Sequence, residues 1–149
     1  MLLVFESQIE DAEKLIKILK SKGVSAIFDE SKAYGLNHVN MALYHTLQAF
    51  KNKTNFAEDF SLEYLIRLSG EKQISRALMF GIKNETKRLG ILVDEAKKDD
   101  IITILGNPVE PGKYDQDFII EYFEIRDINN QKETEKQIYE KIALLDTKI

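Results

Sequence analysis

Chemistry in this chain gathers on one short stretch, LSGEKQISRAL, at residues 68–78. Lys72 and Arg76 stand four residues apart, one helical turn, and Arg67 precedes them. Cations beside a glycine turn, followed by a helix start with unpaired backbone N–H groups, are a pattern that holds phosphate. If a helix opens at Gly70, Lys72 falls in its first turn, where the macrodipole disfavours a cation, and Arg76 follows on the same face. Each fault costs only about 0.3–0.5 kcal/mol, so chance on a solvated face explains it as well as an anion supplied from outside. Gly70 would act twice, ending one helix in the left-handed conformation and capping the next. Gln73 would then reach back toward Gly70 as in a capping box, and Ile74 and Leu78 would be core.

Other reactive constellations are missing. None of the seven glycines begins a GxxxxGK[ST] phosphate loop or a GxGxxG dinucleotide turn. His38 and His45 lie seven apart, about 10.5 Å along a helix, whereas helical metal pairs use three or four. They read as polar-face or core-edge residues, and no metal or cofactor is expected. Glu58 with Glu63, and Asp94 with Glu95, are the conceivable acid/base pairs, yet nothing places a nucleophile beside either. Without cysteine there are no disulfides, thiolate sites or cysteine nucleophile. The chain reads as a non-enzyme.

The 149 residues suit one domain, 1–149, and the 44% hydrophobic and 31% charged fractions suit a globular one. The N-terminal MLLVFESQIED lacks the basic start and long apolar run of a secretory signal, so a cytoplasmic location and no membrane contact are expected. Net charge is -4, which argues against a general nucleic-acid coat. Its distribution is uneven: residues 67–88 hold six cations and two anions, whereas residues 110–149 hold ten acids and six bases. One part of the sequence attracts phosphate and another repels it.

The elements that must position these residues follow from periodicity. LLVFE (2–6), VSAIFD (24–29) and LGILVDE (89–95) read as strands, and IITIL (101–105) as either a strand or part of a helix. Apolar residues at 12, 15, 16 and 19 mark a helix that stops at Lys22-Gly23. A second helix over 36–50 carries the stripe Val39, Leu43, Leu47 and Phe50, with Ala42 beside it. A third, capped by Asp59 or Ser61, ends at Ser69-Gly70. Residues 115–123 and 132–145 give two more. The order predicts an α+β single domain, a small mostly antiparallel sheet of three to four strands packed with several helices.

Residues 37–93 resemble the smallest core subunit family of the KEOPS tRNA threonylcarbamoylation complex, the TPRKB-like kinase-binding family. The resemblance rests on EYLIRLSGEKQISRAL, then FGIK, a polar stretch, and GILV. The matching positions are Glu63, Leu65, Ser69, Gly70, Lys72, Gln73, Ile74, Ala77 and Gly81. IEYFEI and the final helix match more loosely. The resemblance implies a non-catalytic subunit that binds and stimulates a small atypical kinase-ATPase. Through that kinase it would join other KEOPS subunits, and it would contact the 3′ CCA end of tRNA. The RNA-binding candidates are then Arg67, Gly70, Lys72, Gln73 and Arg76, with Lys83 and Lys51 from nearby loops. Ile138, Ile142 and Leu145 on the final helix are the candidate kinase interface, although a stripe at that spacing is also what core packing produces. Two other readings stay open: a small-molecule or nucleotide phosphate site on the same helix terminus, and a plain interaction module.

Overall fold

Strand alternation divides the core into two halves. In the computed structural model, which describes residues 1–7 and 9–147, β1 (Leu2–Glu6), β2 (Ala26–Asp29) and β3 (Arg88–Leu92) form an antiparallel sheet in the order β1–β3–β2. Ile91 on the central strand faces Leu3 on one side and Ile27 on the other. Leu3, Phe5, Ile27, Leu89 and Ile91 point to the face covered by α1 (Ala12–Ser21) and α5 (Lys98–Leu105), through Leu19 and Ile101. Ala26, Phe28 and Leu92 point to the larger helical layer on the opposite face. Gly90 sits across from Phe28, and a Cβ there would come within 2.6 Å of its ring, so the aromatic lies on bare backbone.

That second layer is built around α3 (Phe60–Ser69). Asp59 caps it by accepting the Leu62 N–H, and every residue from 63 to 69 is buried. It packs on α2 (Gly35–Asn52) and on the short α4 (Ile74–Ala77), with α6 (Gln116–Phe123) and α7 (Gln131–Ala143) completing the layer. Asp11, Asp115 and Asn130 cap α1, α6 and α7 through side-chain acceptors.

The expected α+β fold is present, with three strands and IITIL resolved as helix. Two expectations need correction. The buried stripe of α2 is His38, Val39, Ala42, Thr46 and Ala49, and Leu47 is exposed. Two polar side chains sit in the stripe because each finds a partner: His38 with Tyr34 N–H and Leu68 O, and Thr46 with Ala42 O. Ile138, Ile142 and Leu145 are buried among α2, α3 and α6, so they form core and not a kinase-facing surface.

Candidate nucleic-acid interface

Gly70 ends α3 in the left-handed conformation, φ +69°, with its N–H donated to Ile66 O at 2.9 Å. The next amide, of Glu71, donates to Ser69 Oγ at 3.1 Å. Lys141 of α7 lies across the turn: its Cγ would be 2.8 Å from a Cβ on Gly70, and its Nζ pairs with Glu71 at 2.8 Å. Gly70 is thus closed and presents no free amide to a phosphate.

The next helix starts later than the sequence suggests. Its N-cap is Gln73, whose side chain makes no capping bond, and α4 has four residues. The capping box is therefore absent. Lys72 lies outside the helix and Arg76 falls in its last turn, where the dipole favours a cation. With Lys72 outside the helix, neither the dipole fault nor the like-charge pair on one helix face exists.

The cations diverge. Arg67 is wholly buried: Nε donates to Glu63 at 2.8 Å and Nη1 chelates both oxygens of Asp146 at 2.8 and 2.9 Å. Its Nη2 is buried and has no hydrogen-bond partner among the described residues, and its guanidinium lies 4.9 Å from the Phe56 ring. Glu63 also accepts the N–H groups of Phe56 and Ala57, so this pair holds the 53–59 connector and the C-terminal turn onto α3. Arg67 is thereby removed from the phosphate-binding set, and Glu63 is structural and not half of an acid/base pair. Exposed Lys72 leans over Phe56 at 5.1 Å, while Arg76 stacks on Tyr122 at 4.6 Å. Burial pushes the Tyr122 phenol up to about 12, with the Arg76 charge opposing.

Ile74 and Leu78, expected in the core, are about half exposed at 54% and 49%. A four-residue helix has one inward side, which Ala77 occupies, and Phe80 takes the inward position of the 3-10 turn that follows. Ile74 and Leu78 thus leave exposed apolar side chains in the same stretch as exposed Lys72 and partly exposed Arg76. Gln73 is exposed beside them. Lys51 stands apart in the last turn of α2, where the dipole suits it. Exposed Lys83 lines an apolar groove that also includes Leu78.

A second surface escaped the sequence reading. On α2, Leu36, Tyr44 and Leu47 are 48–57% exposed at helical spacing. Leu144, 61% exposed, shares a cleft with Gln48 of the same helix. Surplus apolar residues on a helix of mixed pattern were the available signal. Among the described residues no helix is long and apolar enough to cross a membrane, and no cluster of three or more His, Cys, Asp or Glu could hold a metal.

Residues 7–146 match the family described as kinase binding protein CGI-121. The chain is also similar to the regulatory protein Cgi121 of Methanocaldococcus jannaschii, 31% identical over 110 residues that cover 70% of this chain and 73% of the relative.

Proposed function

The chain belongs to the CGI-121 family of kinase binding proteins, and from that premise we propose that it is a non-catalytic regulator of a protein kinase. The kinase is the small atypical kinase-ATPase of KEOPS, which links the chain to the other subunits in the cytoplasm. The subunit stimulates that kinase and contacts the 3′ CCA end of tRNA during threonylcarbamoyladenosine formation.

The observation that carries the kinase reading is the exposed apolar face of α2, which a family described as kinase-binding supplies with an occupant. Leu36, Tyr44 and Leu47 are spaced to fall on one side of α2, and an apolar helix face is what docks into a hydrophobic groove of a partner. The RNA reading is supported by the stretch around α4, where exposed Ile74 and Leu78 offer contact to unstacked bases while Lys72, just before the helix, and Arg76 within it neutralise phosphates. RNA is favoured over a nucleotide because this surface is open, and Lys141 covers Gly70 where a phosphate cradle would be needed.

The test pairs two variants. Leu47→Glu should abolish co-purification with the kinase while leaving tRNA retention intact. Lys72→Glu with Arg76→Glu should do the reverse and flatten the salt dependence of tRNA binding. Unchanged kinase capture by Leu47→Glu would refute the α2 assignment, and unchanged tRNA retention by the double variant would refute the α4 assignment.

A further inference from the structure

Four lysines collect where three segments meet at one end of the sheet. Lys32 comes from the 3-10 turn Glu30–Lys32, Lys83 and Lys87 from the segment entering β3, and Lys113 from the segment between α5 and α6. Together with Asp29 and Tyr114 they line a cleft of about 430 Å3.

A buried anchor fixes its walls. Glu30, 1% exposed, accepts Arg88 Nε at 2.7 Å and the Gly112 N–H at 2.6 Å, while Arg88 Nη2 donates to Glu110 O at 2.8 Å. The Asp115 N–H donates to Ser31 O at 2.6 Å, and Val109 bridges to Val4 of β1. The 106–115 segment is therefore stitched to the sheet, and Lys113 is held beside Lys87; the two also flank an adjoining cleft with Ser7.

Two of the cleft's carboxylates carry internal hydrogen bonds, and Asp29 also feels the charges of Lys32 and Lys83. Asp29, 8% exposed, accepts from Ser31 N and Oγ at 3.1 and 2.6 Å, and Asp115 caps α6 through the Phe118 N–H. Glu85 is the remaining acid on the lining. Arg88 is consumed by Glu30 and Glu6. Among the described residues no ion pair involves Lys32, Lys83, Lys87 or Lys113, although Lys32 Nζ lies over the Phe118 ring at 4.7 Å. Lys83 also borders the apolar groove that reaches Leu78, so the lysine cleft adjoins the surface formed by α4.

We propose that this cleft binds successive backbone phosphates of an RNA strand, extending the contact made at Ile74 and Leu78. The proposal rests on the RNA reading of α4. Dispersed lysines on flexible stems suit a track of phosphodiesters, whereas one small phosphate ligand calls for a convergent fork or backbone nest, and the guanidinium here is already engaged.

The test compares Lys83→Gln/Lys87→Gln/Lys113→Gln with the parent protein. The probes are intact tRNA, tRNA lacking its single-stranded 3′ end, a CCA trinucleotide and inorganic phosphate. The triple variant should bind both tRNAs about tenfold or more weakly near 0.1 M salt. Its log K against log salt slope should flatten by about two, with CCA trinucleotide binding unchanged. If the triple variant binds tRNA like the parent while Lys72→Glu/Arg76→Glu does not, this inference fails and the α4 reading stands. If neither variant loses tRNA, both fail. Saturable inorganic phosphate binding that the triple variant loses, without loss of tRNA affinity, would also overturn it. Lys113→Glu alone, read by the same titrations, serves if the triple variant does not keep the parent's thermal midpoint.

Discussion

His38 shows how far a side chain's role departs from its spacing in sequence. Its Nδ1 accepts the Tyr34 N–H at 2.9 Å and its Nε2 meets Leu68 O at 2.8 Å, which requires the neutral ring with its proton on Nε2. Burial lowers its pKa from 6.5 to about 4, with the Leu68 carbonyl pulling the other way. Because the folded value lies below the unfolded one, the unfolded chain binds more protons in that window. Stability from this group is therefore complete above about pH 6.5 and is lost as pH falls toward 4. Burial also lowers the half-buried His45, against the pull of Asp146, and this acts in the same direction. Asp29, raised by burial, opposes them only near the ordinary carboxylate range. Urea unfolding between about pH 7 and pH 5 should show stability falling, with His38 contributing up to roughly 1.4 kcal/mol per pH unit. His38→Gln, which keeps an acceptor and a donor, should have a visibly shallower slope. Identical slopes would remove His38 from the account.

At the scale of elements, what could be read locally was read well. LLVFE, the Asp59 cap and the Ser69-Gly70 stop are set by neighbouring residues, and all three appear where periodicity and capping place them. IITIL could not be settled because five apolar-rich residues fit either period; Gly106 and acids at 99 and 100 make it a short helix. The α4 region failed for a different reason. Its length is decided by tertiary contacts: Lys141, from a helix seventy residues away, covers Gly70 and neutralises Glu71. The role of Arg67 is hidden for the same reason, since the Glu63 partner is visible at i,i+4 but Asp146, seventy-nine residues on, is not. The inverted burial of α4 gives a direct expectation. Ile74→Ser with Leu78→Ser should change unfolding free energy by no more than about 0.5 kcal/mol per site, as for other surface positions. The same variant should bind tRNA more weakly. A loss of about 2 kcal/mol or more would mean these side chains are core after all.

For the whole molecule, the question is whether the proposed kinase and RNA surfaces act separately. The central helix α3 packs on α2 and on α4, and a helix with its side chains is about 10 Å across. Tyr44 and Leu47 are exposed on α2 and Arg76 belongs to α4, two separate elements that each pack on α3. Sites separated by about 7–10 Å without shared partners usually combine additively to within about 0.5 kcal/mol. Lys72 is the exception, because it lines the same cleft as Leu144 and Gln48 and so borders both surfaces. A double-mutant cycle of Leu47→Glu with Arg76→Glu, read as tRNA affinity in the presence of the kinase, should return an interaction energy below about 0.5 kcal/mol. The cycle of Leu144→Glu with Lys72→Glu should exceed that value. Linkage requires any such coupling to be reciprocal, so the same interaction energy must emerge when kinase affinity is measured with and without tRNA. Strong coupling in the Leu47–Arg76 cycle would show that α3 transmits a conformational change, and the two surfaces would then have to be treated as one site.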